Sequence, residues 1–333
     1  MIRTLLRKLL TVGYILLITL VALEMSVRIW GFSEPHIYDP IYTSFDRTED
    51  IPYIHKPNLT EARARGLAVI NTDSLGLRTK RAGASYGAKP LNQYRIALTG
   101  DSYTFGEGVT RTEDTYAQVL EDRLNRHQQA LTVRVFNFGA SAYSVKQMAA
   151  TLRYRMLDLQ PDLVVMAVIP SDFNLARTPM IDAEGYLVDQ RLSSFSPPGA
   201  AIRRAFRQIH LAYVLREIGV RWLYPAPDMN RIFSRGEIPD TYDYVREFKQ
   251  MAEEQNVPCV IVLLPRMHGA WGRLPDQLER DRIAYIDLSN LKNEFTKEQY
   301  VASRFDPHPS AAVHHRIGES LAEYVQHLPG FVQ

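Results

Sequence analysis

Arg95-Ile-Ala-Leu-Thr-Gly-Asp-Ser-Tyr-Thr-Phe-Gly106 carries the pattern on which the architecture turns. Ile96, Ala97 and Leu98 form a short apolar run, as in a buried strand. Gly100 and Asp101 end it, because both residue types favour turns and unusual backbone angles. Ser102 follows at once, and Glu113 to His127 has the spacing of an amphipathic helix. A serine therefore falls in the turn between a buried strand and a helix. In an open α/β sheet that turn lies at the carboxyl end of a strand, where ligands bind. Taken alone, Asp101 and Ser102 read equally well as turn and N-cap residues. A nucleophile also needs a base and a group that orients the base.

From this stretch onward the alternation is regular. The apolar pattern predicts strands at 95–99, 132–137, 162–169, 258–264 and 283–287, and helices at 113–128, 144–159, 239–256 and 310–327. Strands alternating with helices predict parallel crossovers, with helices on both faces of one sheet. The runs at 162–169 and 258–264 are almost continuously apolar, as central parallel strands must be. Residues 170–238 interrupt the alternation, and 69 residues is far longer than an ordinary crossover. Ser193 to Gly199 marks a loop. Ala200 to Tyr224 reads as an amphipathic helix with five arginines, Arg203, Arg204, Arg207, Arg216 and Arg221. The insertion fits either a lid over the site or a helical crossover with long loops, and its arginine-rich face suits membrane, anionic glycan or solvent.

Upstream, residues 33–94 are rich in proline and tyrosine and predict an extended segment with one or two short strands against the main domain. The N-terminus is different again. Arg3, Arg7 and Lys8 precede an uncharged run from Leu9 to Leu23, and continuing to Trp30 gives 22 residues. A membrane-spanning helix needs about 20. Glu24 and Arg28 are spaced to pair or to reach the headgroups, and Trp30 with Phe32 resembles an interfacial belt. Basic residues before the span predict a cytoplasmic N-terminus, so the chain is expected to be a single-pass inner-membrane protein with its C-terminal domain periplasmic. The rival reading is a cleaved signal segment with a weak site at Leu20-Val-Ala22.

Composition narrows the classes further. Among 333 residues, 46% are hydrophobic, which suits a sizeable core. The net charge of +2 gives no field that argues for nucleic acid. One cysteine, Cys259, sits in an apolar run as a small core residue; alone it excludes an intrachain disulfide and a thiolate zinc cluster.

The base and its orienter lie near the C-terminus, in Ser303-Arg-Phe-Asp-Pro-His-Pro-Ser310. Pro307 and Pro309 restrict the backbone on both sides of His308, which stiffens a histidine that must be well placed. Asp306 can hold its tautomer if the loop bends back. The plainer reading is a pair of helix caps. Two more polar turns follow predicted strands: Asn137-Phe-Gly-Ala-Ser-Ala-Tyr143, where Gly139 lets backbone N–H approach a ligand, and Ile169-Pro-Ser-Asp-Phe-Asn174, where Ser171 and Asn174 are side-chain donors. All three turns would converge on one edge of a parallel sheet. His268 can line that edge, whereas His314 and His315, about 100° apart on a helix, read as packing or surface residues. Glu107 reads as a turn-shaping residue.

These blocks resemble the SGNH/GDSL hydrolases, in particular bacterial membrane-anchored members, over roughly residues 95–325. Block I is Thr99 to Gly108, block II Asn137-Phe-Gly139, block III Pro170-Ser-Asp172 and block V Asp306-Pro-His308. The resemblance implies an α/β fold, a flavodoxin-like three-layer α/β/α arrangement with a parallel sheet, preceded here by one N-terminal transmembrane helix. The chain is thus expected to divide into an anchor or signal segment at 1–32, a connecting segment at 33–94 and a hydrolase domain at 95–333 with an insertion at about 175–238. The resemblance also implies an esterase acting on O-acyl esters, an O-acetyl glycan among them, with Ser102 as nucleophile, His308 as base and Asp306 as its orienter. The oxyanion hole would be Ser102, Gly139 and Ser171. No metal or cofactor is implied. The alternatives are an acyltransferase on envelope polysaccharide and a weakly active glycan-binding scaffold. This chain departs from the family pattern at Ser171, where asparagine is usual, and in reading Asp-x-His rather than Asp-x-x-His.

Overall fold

The computed structural model describes the chain except residues 1, 31–38, 47–48, 65–67, 127–130, 176–178, 190–198, 224–227, 268–270, 305, 330 and 332–333. Phe32, His268 and most of the loop from Ser193 to Gly199 thus lie outside the described residues. Contacts divide the chain into two compact units, one of residues 1–37 and 192–225 and the other of residues 38–191 and 226–333.

In chain order, α1 spans Ile2–Trp30, β1 Gln93–Thr99, α2 Ser102–Phe105 and α3 Tyr116–Asn125. Next come β2 at Thr132–Asn137, α4 at Val145–Thr151 and β3 at Leu163–Val168. Then follow α5 at Ala200–Arg207, α6 at His210–Leu223 and α7 at Asp243–Glu254. The chain closes with β4 at Cys259–Leu263, β5 at Tyr285–Asp287 and α8 at Ala311–Gln326. Each expected strand and helix of the main domain is present: β2 has the expected bounds, β1 begins earlier, at Gln93, and the others are trimmed. The 144–159 helix ends early at Thr151 and continues as a π-helical turn, Leu152–Met156, then a 3-10 turn, Leu157–Leu159.

The sheet is parallel, in the order β5-β4-β3-β1-β2. Order 2-1-3-4-5 is the doubly wound flavodoxin-like arrangement, and its direction reverses between β1 and β3. Alternating side chains go to opposite faces, and the core divides accordingly. Ile96, Leu98, Val165 and Val262 pack with Tyr116 and Leu120 of α3 and Val313 and Ile317 of α8. Ala97, Val164, Met166 and Ile261 pack with Met148 of α4 and Phe248 of α7. Both faces are covered, which is why these strands read as unbroken apolar runs. Cys259 opens β4 half-buried. His314 is wholly buried on α8, where its Nδ1 accepts from Tyr116 N–H at 3.1 Å and burial lowers it to about 3. His315, one residue on, is exposed and meets Asp114 at 3.1 Å.

The region before β1 has more structure than its sequence suggests. It forms two small sheets, Tyr42–Thr43 with Ile54–His55, and Ala62–Arg63 with Val69–Thr72 and Arg78–Thr79. Strands of two to four residues leave too little periodicity to read. Ile51, Tyr53 and Ile70 join the α4–α7 side of the core. Arg78 is buried and anchors the segment: it donates to the carbonyls of Gly106 (2.7 Å), Phe105 (3.3 Å) and Val109 (2.8 Å), and to Thr112 Oγ1 (3.3 Å). Burial lowers its guanidinium to about 10, still charged at neutral pH.

Arg78→Met strands those carbonyls without a donor. It is expected to lower the unfolding free energy of the full chain by about 3 kcal/mol in denaturant titration, and Arg78→Lys, lacking the guanidinium fork, to recover little of it.

Candidate active site

β1 ends at Thr99, and the chain turns through Gly100 and Asp101 into the single-turn helix α2, of which Ser102 is the first residue. Asp101 caps that helix, its Oδ1 accepting from Tyr103 N–H at 2.9 Å. Residues at a helix start have no intrahelical acceptor for their N–H. The Ser102 N–H has none among the described residues.

His308 meets Ser102 across the fold. Its Nε2 lies 2.9 Å from Ser102 Oγ, and its Nδ1 lies 2.5 Å from Asp306 Oδ1. The partners define the tautomer: Nδ1–H donates to the carboxylate and Nε2 is left to accept the serine proton. Asp306 bends back because the turn is tight. The His308 N–H also donates to Asp306 Oδ1 (3.1 Å), the His308 carbonyl accepts from Ala302 N–H (2.7 Å), and Val301 bridges Pro309. The two-residue spacing therefore closes without a longer loop. Gly108 makes room beneath it. Its φ is +84°, and a Cβ there would stand 2.6 Å from Ala302 Cβ and 3.0 Å from Asp306 Oδ2.

Gly139 serves a different purpose from the one its sequence suggests. Its N–H is engaged, donating to Asn137 Oδ1 at 3.0 Å. A Cβ would lie 2.5 Å from Phe105 N, so glycine is needed for the turn to pass α2. Further along this turn Ala142 adopts φ +64°, a strained angle for a residue with a Cβ. No acceptor for its N–H occurs among the described residues. Its neighbour Ser141 donates to Glu107 Oε2 at 2.7 Å, and that carboxylate stands 3.9 Å from His308 Nε2. Glu107 is thus a buried acid at the histidine.

The turn after β3 brings Ser171, Asp172 and Asn174 to the sheet edge beside α2, since β3 is hydrogen-bonded to β1. Ser171 Oγ accepts from Arg266 Nη1 at 3.3 Å. Asn174 is buried. Asp172 is buried against Asp101, and its Oδ2 accepts from Ile169 N–H at 2.8 Å. Burial first, and the facing Asp101 charge second, raise the Asp172 carboxyl well above the ordinary range. Burial also raises Asp101; within the pair Asp172 is the donor and Asp101 the acceptor, and the Arg266 charge opposes both upward shifts. Ala142 and Arg266 were not singled out by sequence reasoning, whereas Glu107 was read only as a turn-shaping residue and Asp172 only as part of block III. Arg266 had a usable signal: it directly follows an apolar strand, as Ser102 and Ser171 do.

A hydroxyl, an imidazole and a carboxylate in line, beside unengaged backbone N–H groups, are the parts for nucleophilic attack on an acyl carbon. Among the described residues no group of three or more metal-binding side chains occurs.

The profile of the GDSL-like lipase/acylhydrolase family matches residues 98–316, and the chain belongs to that family. It is an ester-hydrolysing enzyme by that membership. No curated protein matches it. Among solved structures it is similar to an acetylxylan esterase from Geobacillus stearothermophilus, at 15% identity over 72% of this chain and 95% of that one (TM-score 0.42). A two-domain esterase active on acetylated mannans matches at 13% over 70% and 49% (TM-score 0.43). A GDSL-like lipase from Bacteroides thetaiotaomicron matches at 13% over 69% and 86% (TM-score 0.35).

The raised Asp172 carboxyl carries a stability prediction. Between the ordinary carboxylate pKa and its own, the folded chain holds a proton that the unfolded chain releases, so this group lowers stability as pH rises. Asp172→Asn keeps both hydrogen bonds without the proton. Its stability relative to the parent is expected to match near pH 4 and to increase towards pH 8, read as the difference between denaturant midpoints.

Proposed function

We propose that the chain is an exported serine esterase, held in the inner membrane by α1 with its catalytic unit on the periplasmic side. The observation that carries the chemistry is the line Ser102 Oγ, His308 Nε2, His308 Nδ1, Asp306 Oδ1, with spacings of 2.9 and 2.5 Å. Ser102 Oγ bonds to the acyl carbon while its proton passes to His308 Nε2. Asp306 holds the imidazolium in place. The leaving alcohol takes the proton as the ester bond breaks, leaving an acyl-serine. Water then gives a proton to Nε2 and attacks the acyl carbon, releasing the acid and restoring Ser102. A sugar hydroxyl in place of water would make the same step a transfer.

The oxyanion is met by the N–H of Ser102, by the N–H of Ala142 on the block II turn in place of the engaged Gly139 N–H, and by the Ser171 hydroxyl. Arg266 supports Ser171. By donating to Ser171 Oγ it leaves the hydroxyl proton for the substrate and adds positive charge where negative charge develops. In this reading Arg266 offsets the absence of the usual asparagine. The support for membrane attachment is α1 itself: 29 residues with an uncharged run from Leu9 to Leu23, long enough at about 1.5 Å per residue to cross a bilayer. An exported enzyme meets the cell envelope, so O-acetylated envelope glycan is the substrate class we infer.

The full chain in detergent is expected to hydrolyse p-nitrophenyl acetate, and Ser102→Ala to lower the rate by about 10⁴-fold or more. Ser171→Ala and Arg266→Ala are each expected to lower kcat by about 100-fold with KM little changed, and the double variant to be no worse than either. An undiminished rate in Ser102→Ala refutes the mechanism. Failure of a fluorophosphonate to label Ser102 would favour a glycan-binding scaffold.

A further inference from the structure

Ile202, Phe206, Ile209, Leu215, Ile218 and Trp222 are exposed, Trp222 to 86%. All lie within the α5–α6 segment. Beyond α1, the other exposed large apolar side chains among the described residues are Val69, Leu91 and Met180. Ile202 and Phe206 stand one turn apart on α5, Leu215, Ile218 and Trp222 follow one stripe of α6, and Ile209 lies in the turn between the helices. Two such stripes together form the kind of surface that water does not cover in a soluble protein. The same segment has five arginines against one acid, Glu217. Apolar stripes with an arginine excess are the composition of a helix that lies in a membrane interface.

The segment is tied to α1 at one level. Glu24 accepts from the N–H groups of His210 (3.0 Å) and Leu211 (2.7 Å), so a carboxylate of α1 caps the positive end of α6. Arg28 donates to the Gln208 carbonyl at 3.0 Å and to Glu24 at 2.7 Å. These contacts lie in the last two turns of α1, and Val27 between them is its one buried residue. The charges that end the apolar run thus receive the insertion. That is also where a spanning helix leaves the acyl region.

We propose that residues 200–223 lie in the headgroup layer of the bilayer that α1 crosses. The apolar stripes enter the acyl boundary, and the arginine excess of the segment's sequence suits an anionic surface. The occupant is an anionic phospholipid surface. A second copy of the same segment would bring arginine against arginine, and the tie to α1 holds the stripes at bilayer depth. The proposal rests on α1 being an uncleaved anchor, and the test separates the two.

Nitroxide labels are placed on the full chain at Ile218→Cys, Trp222→Cys, Leu16→Cys in α1 and Leu91→Cys in the other unit. Each label is placed in a Cys259→Ser background, because Cys259 is a half-buried free cysteine. The chain is reconstituted into vesicles of phosphatidylcholine and phosphatidylglycerol. Labels at 218 and 222 are expected to collide with oxygen, relative to a water-soluble nickel complex, several-fold more than the label at 91, and the label at 16 more again. Labels at 218 and 222 that behave as at 91, while 16 reports bilayer, overturn the proposal and leave the anchor standing. Loss of the labelled residue 16 from the mature chain, or an aqueous reading there, overturns the anchor and the proposal with it. Spin–spin broadening at 218 that grows with protein-to-lipid ratio, without oxygen preference, assigns the stripe to a second copy and also overturns it.

Discussion

The 2.9 Å contact between Ser102 Oγ and His308 Nε2 joins residues 206 apart in the chain. Nothing local holds it. Ser102 is fixed because Asp101 caps α2 at the end of β1, and His308 is fixed because its turn is stitched to Ala302 and Tyr300 by backbone hydrogen bonds. Both turns are positioned by the same sheet. β1 lies beside β3 at the reversal of strand order, and α8, which follows His308, packs on α3, which follows Ser102. Loss of sheet register would displace His308 from Ser102 by more than a hydrogen bond can span.

Assembling this edge places several charges out of water. Asp101 and Asp172 face each other there, and one stays protonated because two buried carboxylates side by side cannot both ionise. Arg266 lies close enough to lower both. Arg78 meets the same problem with four acceptors, three of them carbonyls at the end of α2 and in the loop that follows it. The segment before β1 is therefore part of the site's foundation. Through Arg78 it holds the loop carrying Glu107 and Gly108, and Gly108 in turn lies directly under Asp306.

Much of this was legible in the chain. The β1, β3 and β4 runs are apolar on both parities because both sheet faces are covered, and such runs between polar turns admit few other readings. The gap between the Gly-Asp-Ser turn and the Asp-Pro-His turn was visible too, and family membership bears out the architecture it suggested. The small sheets before β1 were less legible, because strands of two residues carry no period. The use of Gly139 was hidden for another reason: a glycine shows that something passes close, and whether that is ligand or backbone depends on residues elsewhere.

By itself, the sequence determined the strand and helix order, the apolar N-terminal helix and the residue types that can do acyl chemistry. Periodicity, turn residues and charge-free length are local properties, readable one window at a time. Only the tertiary structure decided that Asp306 reaches His308 across a two-residue turn, that Arg266 stands against Ser171, that Glu107 faces the histidine, and that Glu24 receives α6. The last three are contacts between segments whose separation in sequence says nothing of their distance in space, and the first depends on how one turn folds back. The contacts at the site exist because a twisted parallel sheet brings the ends of its strands to one edge, and because a buried charge is stable only where another part of the chain meets it.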